Sequence, residues 1–225
     1  MYKRQLLKEV RDNGFVFYTN YNSTKAQLLE SEAPSNPFEL FGHWFDEVQS
    51  YGKEQETNAM TLSTHLSEGG IASRVVLLKE VRDDGFVFYT NYNSTKGQSI
   101  AHDNRVCLSF FWQSMERQVI IQGIATKLSA KDSDLYFNSR PRGSQLGAHV
   151  SDQSTKIEDR TALESKLAAL ETQYQGRPIP RPTHWGGYVV TPSSIEFWQG
   201  RANRLHDRLA YKRESSAWTI TRLSP

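Results

Sequence analysis

The chain has 225 residues, 37% of them hydrophobic and 23% charged, with a formal net charge of +2 and one cysteine, Cys107. That length supports a substantial core, a single cysteine excludes an intrachain disulfide, and basic residues spread along a nearly neutral chain leave no nucleic-acid footprint. No apolar run nears the roughly 20 residues of a membrane helix, and residues 1–8 lack the apolar stretch of a signal peptide, so a cytoplasmic protein with no membrane partner is expected.

Residues 6–27, LLKEVRDNGFVFYTNYNSTKAQ, recur at 77–98 as LLKEVRDDGFVFYTNYNSTKGQ, and only Asn13/Asp84 and Ala26/Gly97 differ over the 22 positions. A repeat architecture shows three or more diverged units. One nearly identical partial copy reads instead as a duplicated or artefactual segment, residues 1–27, ahead of a single domain over 28–225; a genuine extra hairpin at a sheet edge is the alternative. Lys8, Tyr18, Thr19 and Lys25 of the copy are expected to carry no chemistry and to pack poorly.

Asn36-Pro37-Phe38-Glu39 supplies an N-cap, a first-turn proline and a capping-box acid. Phe38, Phe41, Trp44 or Phe45, and Val48 then recur at helical spacing as a core-facing stripe. Strands are predicted over 59–66, 71–78, 86–90, 105–112 and 118–128, separated by Glu68-Gly69-Gly70, Asp83-Asp84-Gly85 and a short helical insert over 96–102. Ser129-Ala130-Lys131-Asp132 opens a helix carrying Tyr136 and Arg140, which Pro141 ends. Arg140 and Ser144 share a loop punctuated by proline and glycine. A longer helix is predicted over 157–174, with Leu163, Leu167, Leu170 and Tyr174 on one face. After the proline-rich 178–182 linker, strands are predicted over 185–191, 195–199, 204–212 and 218–222. Short neighbouring strands with tight turns indicate an antiparallel meander or barrel with flanking helices, not a parallel nucleotide fold.

Strand periodicity over 203–209 puts Arg204, His206 and Arg208 on one face and Leu205, Asp207 and Leu209 on the other. Two guanidinium groups flanking an imidazole are unfavourable without a ligand, so the segment reads as an anion-binding face, with a solvated strand face as the alternative. The preceding Glu196-Phe197-Trp198-Gln199-Gly200 adds an aromatic platform and a close-approach glycine, which suits a flat anionic ligand. His43, His65, His102, His149 and His184 show no paired ligand spacing, and no metal is expected.

Ile195-Glu196-Phe197-Trp198-Gln199-Gly200 followed by Arg204-Leu205-His206-Asp207-Arg208 resembles the signature of the pyridoxine (pyridoxamine) 5′-phosphate oxidases. Five further blocks resemble family motifs in the family order: Arg74-Val75-Val76-Leu77-Leu78-Lys79, Phe88-Tyr89-Thr90-Asn91, Glu116-Arg117-Gln118-Val119, the stretch from Tyr136 to Ser144, and Gln153-Ser154. The resemblance covers residues 28–225. It implies a mainly β, antiparallel split-barrel fold with flanking helices (α+β), and a homodimer holding FMN at the subunit interface. The implied activity is oxidation of pyridoxine 5′-phosphate or pyridoxamine 5′-phosphate to pyridoxal 5′-phosphate, with O2 as acceptor and H2O2 released.

The same resemblance implies FMN contacts at Arg74, Val75, Val76, Leu77, Lys79, Tyr89, Thr90, Lys96, Gln118, Gln153, Ser154, Trp198 and Arg208. It implies substrate contacts at Lys79, Tyr136, Arg140, Ser144, Arg204, Leu205 and His206. Lys79, Tyr136, Arg140 and Ser144 would clamp the substrate phosphate, although Tyr136 and Arg140 taken alone read equally well as a helix cap with a salt bridge. Arg204 and His206 are the implied catalytic pair, orienting the C4′ carbon and assisting proton removal as hydride passes to the flavin. One departure stands out: the family commonly has Arg-Lys where this chain has Thr95-Lys96, which leaves a neutral hydrogen bond in place of a cation and implies weaker FMN binding. A copied hairpin also replaces the segment with which family members often cover the substrate. A related split-barrel flavoprotein acting on another substrate and a non-catalytic flavin or pyridoxal-phosphate carrier are the competing readings.

Overall fold

The computed structural model describes residues 27–215 and 217–225, together with the backbones of Leu6–Arg11 and Gly14–Thr19. In chain order the elements are β1 (Leu6–Arg11), β2 (Gly14–Thr19), α1 (Pro37–Tyr51), β3 (Ala59–His65), β4 (Ile71–Leu77), β5 (Glu80–Arg82), β6 (Gly85–Asn91), α2 (Thr95–His102), β7 (Arg105–Trp112), β8 (Arg117–Lys127), α3 (Ala130–Ser139), α4 (Arg142–Val150), α5 (Arg160–Gln173), β9 (Trp185–Gln199), β10 (Asp207–Glu214) and β11 (Ala217–Arg222). Nine strands form one sheet in the order β11-β10-β9-β8-β7-β3-β4, and β6 pairs with both β5 and β9. This is the mainly β arrangement with flanking helices that the motifs implied.

The chain divides into two compact units built from interleaved stretches, residues 1–57, 110–120 and 194–225 in one, residues 58–109 and 121–193 in the other. In the first, the Asn36 side chain accepts the Phe38 N–H at 3.1 Å to start α1, and Gly52 at φ 63° ends it in the left-handed cap that glycine adopts most readily. The buried face of α1 meets aromatic strand residues: Phe41 lies 5.2 Å from Phe110 and Trp44 5.2 Å from Phe197, centroid to centroid. β10 pairs antiparallel with the end of β9 and with β11, burying Leu209 and Tyr211. The chain following residue 27 is fastened here, because Leu28 N–H donates to Asp207 and Arg222 bonds the Leu28 carbonyl, Glu30 and Asp207.

In the second unit Leu62, Phe86, Phe88, Leu108, Ile121 and Val190 are fully buried in the strands. Phe137, Leu146, Ala148, Ile179 and Trp185 form a further cluster, against which Leu167, Leu170 and Tyr174 of the predicted α5 stripe pack. Three local expectations need correction. The stretch after Pro141 is helix α4 rather than loop: Pro141, which has no N–H to satisfy, accepts from Ser144 and Gln145, and Leu146, Ala148 and Val150 are buried. Strands predicted over 185–191 and 195–199 are one strand, β9, which passes Gly123 so closely that a Cβ there would lie 2.3 Å from the Thr191 carbonyl oxygen. The strand predicted from 204 begins only at Asp207, since Asn203 and Arg204 take left-handed φ of 57° and 60°.

The repeat shows how far local sequence reaches. Glu9 opposes Val16 and Arg11 opposes Gly14 in β1–β2, as Glu80 opposes Val87 and Arg82 opposes Gly85 in β5–β6. Upstream the two part: Leu6 continues the first hairpin opposite Thr19, whereas its counterpart Leu77 belongs to β4 and pairs with Ala59 of β3. The expected packing and inertness of the side chains of residues 1–26 fall outside the described residues. The second copy carries Gly97 in α2, where a Cβ would stand 2.2 Å from the Tyr92 carbonyl oxygen, while the first carries Ala26 at the matching position. Gly97→Ala is expected to destabilise the protein by about 1–3 kcal/mol through overpacking, read as a lower urea midpoint at unchanged m-value.

Candidate active site

A cavity of about 650 Å³ lies in the second unit, within the range of small-molecule sites. Its floor is aromatic. Tyr89 of β6 stacks on Tyr136 of α3 with centroids 3.8 Å apart and planes 14° apart, and Trp185 at the start of β9 lies 5.4 Å from Tyr89 in nearly the same orientation. Burial pushes the Tyr89 hydroxyl up to about 12, so it is a neutral donor at physiological pH.

The walls carry Lys79, Lys96 and Arg140, and no carboxylate is among the described lining residues. Arg140 sits at the C-cap of α3 with its guanidinium 4.5 Å above the Trp185 ring. Its Nη1 is buried and makes no hydrogen bond, and burial draws its pKa down from the ordinary arginine value. A guanidinium N–H removed from water without an acceptor costs roughly 1–3 kcal/mol or more; an anion in the cavity removes that penalty. Lys96, in the first turn of α2, donates to the Gln153 side chain at 2.8 Å. Burial first and the Arg74 charge second lower its pKa. Arg74 itself does not line the cavity and is anchored to the Thr64 hydroxyl at 2.7 Å.

Of the residues singled out by sequence, Val75, Val76 and Leu77 from β4, Tyr89 and Thr90 from β6, and Lys79, Lys96, Tyr136, Arg140, Ser144 and Gln153 all line this one cavity. Ser144 does so from α4, one turn after its Pro141 start. Thr95 is exposed and does not line it. Ser154, at φ 73°, and Gln118, half-buried on β8, also lie outside the lining. So do Trp198, Arg204, Leu205, His206 and Arg208, which belong to the first unit. There the Trp198 and His206 rings are 4.7 Å apart, and Arg208 is held by Glu196 at 2.8 Å and the Ser224 carbonyl at 2.8 Å. Arg204 is exposed in a left-handed 3₁₀ turn, so the alternating face expected of a strand does not form at 204–206.

Sequence reasoning missed Trp185, Ala148 and Ser151 as lining residues. Trp185 opens a strand after a proline linker, and no periodicity or motif distinguishes it from a core aromatic. Asn91, noticed only as part of a motif, ties the site together: its amide nitrogen donates to the Ser151 carbonyl at 3.2 Å and its oxygen accepts from Asn93 N–H at 2.8 Å.

A family model described as pyridoxamine 5′-phosphate oxidase matches residues 46–174, and another, described as the pyridoxine 5′-phosphate oxidase C-terminal dimerisation region, matches residues 185–225. The chain belongs to the pyridoxine/pyridoxamine 5′-phosphate oxidase family. Relatives bearing that name include one from Flavobacterium johnsoniae, 56% identical over 92% of this chain and 98% of its own, and one from Flavobacterium psychrophilum, 51% identical over 92% and 98%. Among solved structures, PhzG from Burkholderia lata in complex with tetrahydrophenazine-1-carboxylic acid has a TM-score of 0.82 at 30% identity, covering 87% of this chain and 95% of that one. A pyridoxamine 5′-phosphate oxidase-related, FMN binding protein from Nostoc punctiforme shares the fold at a TM-score of 0.67 and 15% identity. The split-barrel architecture implied by the motifs is the architecture of this oxidase family.

The cation-lined cavity makes a direct prediction. Inorganic phosphate at ten times its Kd is expected to raise the unfolding free energy by about 1.4 kcal/mol, and Arg140→Gln to remove most of that gain, measured by urea denaturation with and without phosphate.

Proposed function

We propose that this protein is an FMN-dependent oxidase that converts pyridoxine 5′-phosphate or pyridoxamine 5′-phosphate to pyridoxal 5′-phosphate, with O2 as electron acceptor and H2O2 released. The observation that carries the reading is the buried, unbonded Nη1 of Arg140 in a cavity whose described lining residues include three cations, no carboxylate and a stacked aromatic floor. That donor set fits two phosphate esters attached to flat rings. Arg74 and Lys96, adjacent enough for one charge to depress the other, would hold the FMN phosphate with Gln153 and Ser154 beside them. Val75 to Leu77, Tyr89 and Thr90 would meet the rest of the cofactor. Lys79, Tyr136, Arg140 and Ser144 would hold the substrate phosphate by charge and hydroxyl donors.

FMN, when bound, supplies the hydride acceptor and the route for electrons to dioxygen. The chain's residues do the rest: the cations fix the phosphate end, the aromatic floor excludes water, and Arg204 and His206 orient the carbon that is oxidised. The residues Gln118, Trp198, Arg204, Leu205, His206 and Arg208 would reach this chemistry from a second copy, with FMN at the interface of a homodimer. The C-terminal dimerisation region matched at 185–225 supports that arrangement, as do two large apolar side chains left open to water, Val75 at 67% and Leu205 at 69% exposure.

Purified protein is expected to be yellow and to release peroxide when pyridoxine 5′-phosphate is added; colourless protein that binds pyridoxal phosphate tightly would favour a carrier. Arg204→Ala is expected to remain yellow and to lose about 10²-fold in kcat/KM, the scale of a lost positioning contact. Lys96→Gln is expected to weaken FMN binding by about 1.5–3 kcal/mol, the worth of a charge-assisted hydrogen bond, measured by flavin fluorescence titration.

A further inference from the structure

The segment 200–206, which carries Arg204, leaves β9 and returns to β10 at one pair of residues: Gln199 ends the first strand opposite Asp207, which begins the second. Within it Asn203 and Arg204 hold left-handed φ of 57° and 60°, which non-glycine residues keep only where the surroundings impose it. Gln199 is 1% exposed, and a buried primary amide needs partners for one oxygen and two hydrogens. Its nitrogen donates to the carbonyls of Met115 and Glu116 at 3.2 Å each and of Gly200 at 3.4 Å. Met115 and Glu116 belong to the turn between β7 and β8, so one side chain bridges two turns. The Gly200 N–H adds a second bridge, to the Glu116 carbonyl at 2.8 Å. A Cβ at Gly200 would come within 2.9 Å of the Glu116 Cβ, so glycine lets the two turns close.

The direction of that amide is set from its other side. Nε of Arg117 donates to the Gln199 oxygen at 2.9 Å. A guanidinium only donates, so the oxygen must face Arg117 and the nitrogen must face the carbonyls. Reversing the amide would set N–H against N–H and oxygen against carbonyl oxygen. Arg117 is itself buried and fixed, paired with Glu47 of α1 at 2.6 Å and seated 4.4 Å over the Trp44 ring. A charged donor makes the stronger kind of hydrogen bond, and here it is spent on orienting a neutral amide.

We infer that Gln199 is a positioning residue for turnover, bracing the 200–206 turn against the 113–116 turn, and that Arg117 acts through it. The weight of Arg204 in turnover rests on the oxidase reading above; the bracing does not. Neither Gln199 nor Arg117 lines the cavity, so the effect reaches the reaction through the turn. Gln199→Glu isolates the interaction. The carboxylate keeps the size of the side chain and the oxygen that faces Arg117, but it turns an oxygen instead of two hydrogens toward the carbonyls of Met115, Glu116 and Gly200. The brace becomes repulsive while the contact with Arg117 persists.

The test uses the full-length protein loaded with FMN and compared at equal bound flavin. Amide hydrogen exchange at Gly200 and Arg201 is expected to quicken about tenfold in Gln199→Glu, the scale of one lost hydrogen bond, while Leu209 and Tyr211 of β10 keep their rates. In turnover with pyridoxine 5′-phosphate, kcat per bound flavin is expected to fall about 10²-fold, as for a displaced catalytic contact, with KM little changed. Gln199→Met, which removes the donors without adding a charge, is expected to move both readouts the same way and carries the test if the carboxylate prevents folding. The double variant Arg117→Met/Gln199→Met is expected to be no slower than the slower single variant, because one residue acts through the other. A merely structural role would lower the urea midpoint and leave kcat per bound flavin unchanged. That result, unchanged exchange at Gly200 and Arg201, or losses that multiply in the double variant would each overturn the inference. If the wild-type protein oxidised neither vitamer phosphate, the oxidase reading would fail while the exchange rates still decided the brace.

Discussion

Uncompensated positive charge is the constraint on which the candidate site depends. Lys79, Lys96 and Arg140 share a cavity with no carboxylate among its described lining residues, and burial disfavours the charged forms of Lys96 and Arg140 unless something rigid holds them. The rigid parts are legible. Lys96 is fixed by the first turn of α2, whose N-cap Ser94 is fully buried, and Arg140 by the end of α3 and the ring of Trp185. A buried guanidinium nitrogen with no hydrogen bond, held rigidly beside a cavity, is satisfied by an anion without rearrangement of the walls.

The C-terminal segment has the opposite construction. Its charges are mostly spent on one another: Arg208 on Glu196, Arg201 on Asp207, Arg222 on Glu30 and Asp207. What remains is geometry. Two successive non-glycine residues at positive φ, Asn203 and Arg204, store strain of about 1–3 kcal/mol each, sustained by the buried Arg117–Gln199 contact on one side and the β10 pairing on the other. That strain turns Arg204 out of the strand and leaves His206 facing the Arg201 amide. The two groups therefore differ in kind, one a set of cations lining a cavity, the other a turn whose neighbouring charges are mostly paired.

Much of this architecture is written in short-range patterns. The Asn36 cap, the α1 aromatic stripe, the α5 leucine face and most strand runs follow from periodicity and turn chemistry, which act over a few residues. Helix α4 escaped because Pro141, Gly143 and Gly147 read as loop punctuation, and only burial of Leu146, Ala148 and Val150 outweighs those propensities. Trp185 escaped because an aromatic at a strand start has no local mark that separates floor from core. The 203–206 turn escaped because left-handed backbone at asparagine and arginine is imposed from outside the segment.

The 22-residue repeat separates the two sources of information. By itself the sequence determined the register of the hairpin, identical in both copies because the turn and its flanking pairs are in contact along the chain. It also determined the family, since ordered motifs survive in the residue string. Tertiary structure decided that Leu77, but not Leu6, joins β4, because strand choice depends on whether a partner such as β3 is present. It decided that a side chain at position 97 is penalised, because a Cβ there would meet the Tyr92 carbonyl, which lies outside the helix.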